Sequence, residues 1–296
     1  MKEIVSVSLG SRHRDHESQM TLMGETVHVA RRGSDGDLDR ARDMIRALDG
    51  TVDALGLGGI DRYLVVRNRR YEIQDAVRMA SEARKTPVVD GSGIKNTLER
   101  TIVEELHADG TIHRDQHVLM VSAMDRFGMA ESFDALGYQL VAGDLIFSSH
   151  INYPIRTVDE LDELARKLLP EVTQMPFHHL YPVGDAQTGD SDPRYRHYFE
   201  EADIIAGDFH YIRRYMPESL EGKIIITNTT TEGDVALLAA KGVQTLVTTT
   251  PVVDGRSYGT NVIEAALVAV TGLTAESPGW SDAVHATGLH GTVLRL

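Results

Sequence analysis

The sequence contains no cysteine. That absence excludes disulfide scaffolds, thiolate zinc sites, iron–sulfur clusters and cysteine nucleophiles, and it leads us to expect a reducing, cytoplasmic setting. Long apolar runs are also missing, so no transmembrane helix is expected. Met1-Lys2-Glu3 and the short alternating run after it lack the charged head and long apolar body of a signal peptide. Basic residues are few: 30 Lys+Arg stand against 44 Asp+Glu, a formal net charge of −14. Nucleic acid and anionic lipid need a basic face, so neither is an expected partner. No H-E-x-x-H, G-x-S-x-G or EF-hand pattern occurs, and no metal site is assigned.

The 296 residues alternate short apolar runs with amphipathic stretches, the pattern of an α/β protein whose strands are buried on both faces. Strands are expected at 3–9, 26–31, 52–57, 87–90, 118–122, 140–143, 203–206, 223–227 and 245–248, and a hairpin turning near Asn68. Helices are expected at 37–48, 94–107, 126–136, 158–169, 209–215, 231–241 and 258–270. The polar stretch 107–117 reads as a domain boundary, and 176–196 as a long surface excursion. The expected organisation is an N-terminal α/β domain (1–116), a Rossmann-like parallel-sheet domain (117–272) and a loose C-terminal tail (273–296).

Ligands of open parallel sheets bind beyond the carboxyl ends of the strands, and several loops there could carry chemistry. Asp90-Gly91-Ser92-Gly93-Ile94-Lys95-Asn96-Thr97 runs from strand into helix and offers either an anion seat or a capped turn. The stretch from Ser122 through Asp125, Arg126 and Gly128 occupies the place of a dinucleotide loop, with Asp144 about twenty residues on, where such folds meet a ribose. Its alternative is a βαβ turn without nucleotide. Asp144 and Asp208 each close an Ala-Gly-Asp strand end as ligands of ribose or polyol hydroxyls, as Mg²⁺ ligands or as helix caps, and His210 beside Asp208 reads as an oriented base or a structural histidine. Asn228 and Thr229 in one Thr-rich loop, and Thr249, Thr250, Arg256 and Asn261 in another, suit an anionic, hydroxyl-rich ligand or ordinary capping. His13-Arg14-Asp15-His16 has metal-like residue types in a polar loop.

The strings G-L-G-G-I-D at Gly56, T-P-V-V-D-G-S-G-I-K-N-T-L-E-R at Thr86, V-S-A-M-D-R-F-G-M-A at Val121, A-G-D-F-H-Y-I-R-R-Y-M-P at Ala206 and D-G-R-S-Y-G-T-N-V-I-E-A at Asp254 together resemble bacterial proteins labelled quinate 5-dehydrogenase. The resemblance runs to about Gly272. It implies a substrate domain followed by a Rossmann domain, NAD or NADP as cofactor, and a catalytic Lys–Asp pair. Lys95 and Asp90 are the matching candidates, though they stand outside the Asn-x-Thr-x-Pro-x-Lys motif of quinate/shikimate dehydrogenases. S-A-M-D-R-F-G also replaces their glycine-rich loop.

The resulting expectation is an oxidoreductase acting on a small polyhydroxy acid. Lys95, Asp90 and His210 would be catalytic. Ser122, Asp125, Arg126, Gly128, Asp144, Asp208, Asn228 and Thr229 would meet the cofactor. Ser92, Asn96, Thr97, Thr249, Thr250, Arg256 and Asn261 would meet the substrate. The alternatives are a non-redox transferase, lyase or hydrolase on an anionic or phosphorylated metabolite, and a non-catalytic metabolite-binding protein. A homodimer is the base-rate expectation.

Overall fold

The computed structural model describes residues 1–180, 193–253 and 255–296. Most of the excursion expected over 176–196, and Asp254 of the D-G-R-S-Y-G motif, therefore lie outside the described residues. The first half comprises β1 (Lys2–Ser8), β2 (His16–Leu22), β3 (Glu25–Gly33), α1 (Leu38–Leu48), β4 (Ala54–Gly58), the hairpin β5 (Tyr63–Val66) and β6 (Arg69–Glu72), α2 (Gln74–Ala80) and β7 (Val88–Val89). A short α3 (Ser92–Lys95) and α4 (Leu98–Ala108) lead to β8 (His117–Met120), α5 (Phe127–Ala135), β9 (Gln139–Ala142), α6 (Val158–Val172) and α7 (Phe177–Leu180). Then follow α8 (Arg196–Glu201), β10 (Ile204–Ala206), α9 (Phe209–Tyr215), β11 (Ile224–Thr227), α10 (Glu232–Ala240) and β12 (Thr245–Thr248). The chain ends with the ribbon β13 (Val252–Val253) and β14 (Arg256–Ser257), then α11 (Thr260–Thr271), α12 (Trp280–Ala286) and β15 (Thr292–Arg295).

The protein is a mixed α/β molecule with two sheet-bearing halves. One sheet has the order β2-β3-β1-β4-β7, with only β2 antiparallel to its neighbour. The other has the order β9-β8-β10-β11-β12-β15, with only β15 antiparallel. In each, the crossovers change side once, between β1 and β4 and between β8 and β10. Loops diverge at such switch points and leave a crevice at the strand ends.

Side-chain alternation divides the cores. Val5, Val7, Leu55 and Leu57 face Ala41, Ile45, Ala76 and Met79. On the opposite face Ile4, Val27, Val29, Ala54 and Val89 meet Val262, Ile263, Ala266 and Val268 of α11. Helix α4 packs instead beneath the second sheet, with Ile102, Val103 and Leu106 near Val118, Met120 and Phe127. The halves thus exchange helices: α4, expected in the first, serves the second, and α11, expected in the second, roofs the first.

The last segment is not the loose tail expected from its Gly, Ser and His content. Trp280 and Val284 are buried under α11, and Thr292–Arg295 adds an edge strand to the second sheet. Strand β2 also escaped the hydrophobic reading, because along H-E-S-Q-M-T-L only Met20 and Leu22 are buried. No helix among the described residues is long and apolar enough to cross a membrane.

Candidate functional site

The switch point between β8 and β10 gathers charge. Gly91 at φ +94° turns the chain into α3, whose last residue is Lys95. Its Nζ lies 2.8 Å from Asp61 Oδ1 and 3.4 Å from Asp125 Oδ2. Asp61 follows the Gly58-Gly59 turn after β4, and Asp125 follows β8, so the lysine joins the two halves. Burial works against the ammonium, but Asp61 and Asp125 outweigh it and raise the Lys95 pKa. Lys95 is therefore a fixed cation and not the lowered, proton-shuttling lysine that acid/base work near neutrality requires. Burial pushes the Asp61 carboxyl up to about 6, with Lys95 opposing and Asp125 adding to the rise.

Asp90, expected as the partner of Lys95, is used elsewhere. It accepts from the Arg62, Tyr63 and Ser92 amides and from Ser92 Oγ at 2.7–3.1 Å. It locks the turn, and Asp61 takes the role assigned to it. The G-L-G-G-I-D string carried that signal and reads as a turn until the fold brings Asp61 to Lys95.

Arg126 is 2 % exposed and pairs with the fully buried Glu99 of α4. Its Nη2 lies 3.8 Å from Asp208 Oδ2. Burial opposes its charge, but Glu99, Asp125 and Asp208 raise its pKa. Asp208 is held low: burial pushes it up, and His210, Arg126 and Lys95 pull it down. It caps α9 by accepting from the His210 amide at 2.9 Å. The imidazole of His210 is lowered by burial and by Arg14, against the pull of Asp208. A neutral ring accepts from Arg14 Nη1 through Nε2 at 2.7 Å. The lone pair that a general base needs is thus covered by a guanidinium, which corrects the expectation of a free base.

Arg14 arrives from the turn between β1 and β2 and also donates from Nη2 to the Thr229 carbonyl at 3.4 Å. Thr229 has φ +56°, a left-handed conformation, and presents its carbonyl to Arg14. Arg256 donates to the Arg14 carbonyl at 3.3 Å and lies 3.2 Å from His16 Nδ1. Among the described residues neither Arg14 nor Arg256 forms an ion pair. Desolvation lowers the Arg14 pKa; Asp234 and Asp208 pull it back up, and Arg256 and Arg213 lower it further. Arg31, 2.8 Å from Asp15, is pushed down to about 10 by burial and by Arg14 and Arg256. Cations from both halves therefore crowd one place. The H-R-D-H string, noted for metal-like residue types, contributes its arginine to that cluster.

Lys95 and Arg256 do not touch. Asp125, Arg126, Asp208, His210 and Arg14 form a row between them. Several buried polar atoms along that region have no hydrogen-bond partner among the described residues: Ser122 Oγ, Asp125 Oδ1, Arg126 Nε, Glu99 Oε2, Asn228 Oδ1 and His16 Nε2. Buried polar groups are normally satisfied, so such a concentration marks a place where a polar ligand would complete the bonding.

Other expected residues have structural work. Asp144 accepts from the Ala123 and Met124 amides at 2.9–3.1 Å, and burial pushes it up to about 6. In a dinucleotide fold those amides face the pyrophosphate. Here a carboxylate takes them, so the loop as folded does not fit a nicotinamide dinucleotide, and Asp144 is not presented to a ribose. A Cβ at Gly128 would lie 3.1 Å from Asn96 Oδ1 and Arg100 Nη2, so this glycine serves the close approach of α5 to α4. Thr249 donates to Glu99 at 2.9 Å, Thr250 donates to the Tyr258 carbonyl, and Asn261 Nδ2 donates to Ser6 Oγ at 2.8 Å. Ser92 and Asn96 stand beside Lys95, Asp125 and Arg126 in one small hollow and, with Thr97, also line an adjoining cleft beneath the β5–β6 hairpin.

The chain belongs to the family described as Domain of unknown function (DUF8754), whose model matches residues 93–296. A second model, Domain of unknown function (DUF8753), matches residues 3–90, so the two meet at the turn that launches α3. A search of curated proteins gives no match. Among solved structures, the chain is similar to a substrate-binding protein of a sugar ABC transport system from Bordetella parapertussis. Identity is 10 %, coverage is 100 % of this chain and 89 % of that one, and the TM-score is 0.37. A periplasmic ribose ABC transporter protein from Conexibacter woesei has 11 % identity, coverage of 94 % and 87 %, and a TM-score of 0.37. An NAD-dependent malic enzyme from Thermotoga maritima has 12 % identity, coverage of 83 % and 65 %, and a TM-score of 0.33.

Proposed function

We propose that the protein binds a small, hydroxylated, negatively charged metabolite between its two halves. The observation that carries this reading is the meeting of Arg14, from the first half, with His210 and Thr229 of the second and with Arg256 of the β13–β14 ribbon, neither arginine being ion-paired among the described residues. Two crowded guanidiniums repel each other, and a carboxylate or phosphate between them would relieve that repulsion while accepting paired hydrogen bonds. Beyond β8 and β11, Ser122 Oγ, Asp125 Oδ1 and Asn228 Oδ1, acceptors without a partner among the described residues, suit hydroxyl donors. The resemblance to proteins labelled quinate 5-dehydrogenase agrees with a polyhydroxy acid.

A second reading, oxidoreduction of that ligand with NAD or NADP, is favoured by the switch point of a parallel sheet, beside which Lys95 would hold the ligand's anion as a fixed cation. It requires the Ala123 and Met124 amides to leave Asp144, or a cofactor seat elsewhere. A thermal-shift screen with quinate, shikimate, inorganic phosphate, NAD and NADP tests both readings, since stabilisation grows as RT ln(1 + [L]/Kd). A shift with quinate, shikimate or phosphate that disappears in Arg256→Ala supports the binding reading. No shift with any of the three at millimolar concentration overturns it, and no shift with either nicotinamide overturns the redox reading.

A further inference from the structure

Beneath the β5–β6 hairpin lies a cleft of about 230 Å³ that the Arg14–Arg256 crevice does not use. Trp280, Val65 and Ala275 form its apolar wall, Asn96 offers an amide, and Arg67 and Arg70 stand at its rim. No acidic side chain is among the residues that line it.

Its volume sets the size of an occupant. An apolar cavity of about 150 Å³ takes a benzene ring, so this cleft takes one ring carrying one acid group. Its charge sets the head group. Arg67 pairs through Nη2 with Asp159, whose side chain is 88 % exposed, and through Nε, at 3.5 Å, with the buried Asp162; Arg70 pairs with Glu276, 53 % exposed. The pairs to Asp159 and Glu276 open to water and contribute little, so Arg70 and the Nη2 of Arg67 can exchange them for a ligand anion at small cost, while Asp162 keeps Arg67 anchored through Nε. Trp280 is fixed, at 5 % exposure with its Nε1 donating to the Gly93 carbonyl at 3.4 Å, and forms a rigid surface for a ring.

We infer that this cleft is a second binding site, for a small ring-bearing carboxylate or phosphate monoester, with the ring against Trp280 and the anion between Arg67 and Arg70. Trp280 is the only tryptophan in the chain, so its fluorescence reports on the cleft alone. Titration with benzoate and with phenyl phosphate is expected to give a saturable change in emission, while inorganic phosphate gives none. The Arg67→Ala/Arg70→Ala double variant, checked for fold by circular dichroism, is expected to bind at least tenfold more weakly. Arg14→Ala is expected to respond like the wild type, which separates this site from the crevice. A flat response to both ring acids, an equal response to inorganic phosphate, wild-type affinity in the double variant, or loss of the response in Arg14→Ala overturns the assignment.

Discussion

Lys95 holds its ammonium between Asp61 and Asp125, carboxylates that come from the two halves of the molecule. A lysine after a Gly-Ser-Gly turn suggests an anion seat or a proton carrier, and the sequence holds no sign of which carboxylates surround it. The fold supplies Asp61 from 34 positions upstream and Asp125 from 30 downstream. Removing one member of a buried pair leaves uncompensated charge, so Lys95→Met should lower unfolding stability by about 3–5 kcal/mol. Lys95→Arg should lose much less. Urea melts decide this, and a loss below about 1 kcal/mol in the methionine variant would show that the pair is not buried as described. Arg14 was legible only as part of a loop with metal-like residue types. Its real neighbours, His210 and Thr229, lie some two hundred residues away in the chain, a distance across which no local pattern carries information.

Individual elements were more legible than their partners. The apolar runs gave both parallel sheets, because strands buried on both faces need no alternation to be seen. What the runs could not show was that α11 leaves its neighbours in sequence and lies on the first sheet. Two contacts at one junction make that placement testable. Gly91, at φ +94°, faces the first residues of α11, and a Cβ there would collide with Thr260 and lie 2.5 Å from the Asn261 amide. Gly91→Ala should therefore cost about 3 kcal/mol or more, read as a lowered denaturation midpoint; near-neutral behaviour would contradict the packing of α11. At the same junction Glu264 is 2 % exposed and accepts from the Gly93 and Ile94 amides at 2.9 and 3.2 Å. Burial, with Asp90 adding to it and the two amides opposing, raises its pKa from 4.5 to about 8. An acid whose folded pKa exceeds its unfolded one binds protons more tightly when folded, so stability falls as pH rises between the two values. Glu264 should thus make the protein less stable at pH 9 than at pH 6. Glu264→Gln keeps an acceptor for the amides and should flatten that part of the profile, as thermal melts across pH would show. A variant with the same slope as the wild type would remove Glu264 from the account.

For the whole molecule, the exchange of helices means that neither half is a continuous segment of chain. A division near 116 matched the change in composition but not the packing, since α4 lies beyond it in space and α11, α12 and β15 weave both halves together. Truncation after Gly272 should accordingly abolish cooperative folding and not merely trim a tail. Retention of a sharp melt near the wild-type temperature would contradict that. The woven arrangement also holds the two switch points against each other, so that residues from the first turn and from the β14 ribbon reach one crevice.

The most direct measurement of that claim is calorimetric titration of wild type, Arg14→Ala, Arg256→Ala and the double variant with quinate, shikimate and inorganic phosphate. If one anion is gripped by both halves, each single variant should lose about 10-fold or more in affinity, the worth of a charge-assisted contact. The double variant should then lose less than the sum of the two losses, because both side chains serve the same group. Wild-type affinity in either single variant for the anion that binds best, or strictly additive losses, would contradict a shared site between the halves.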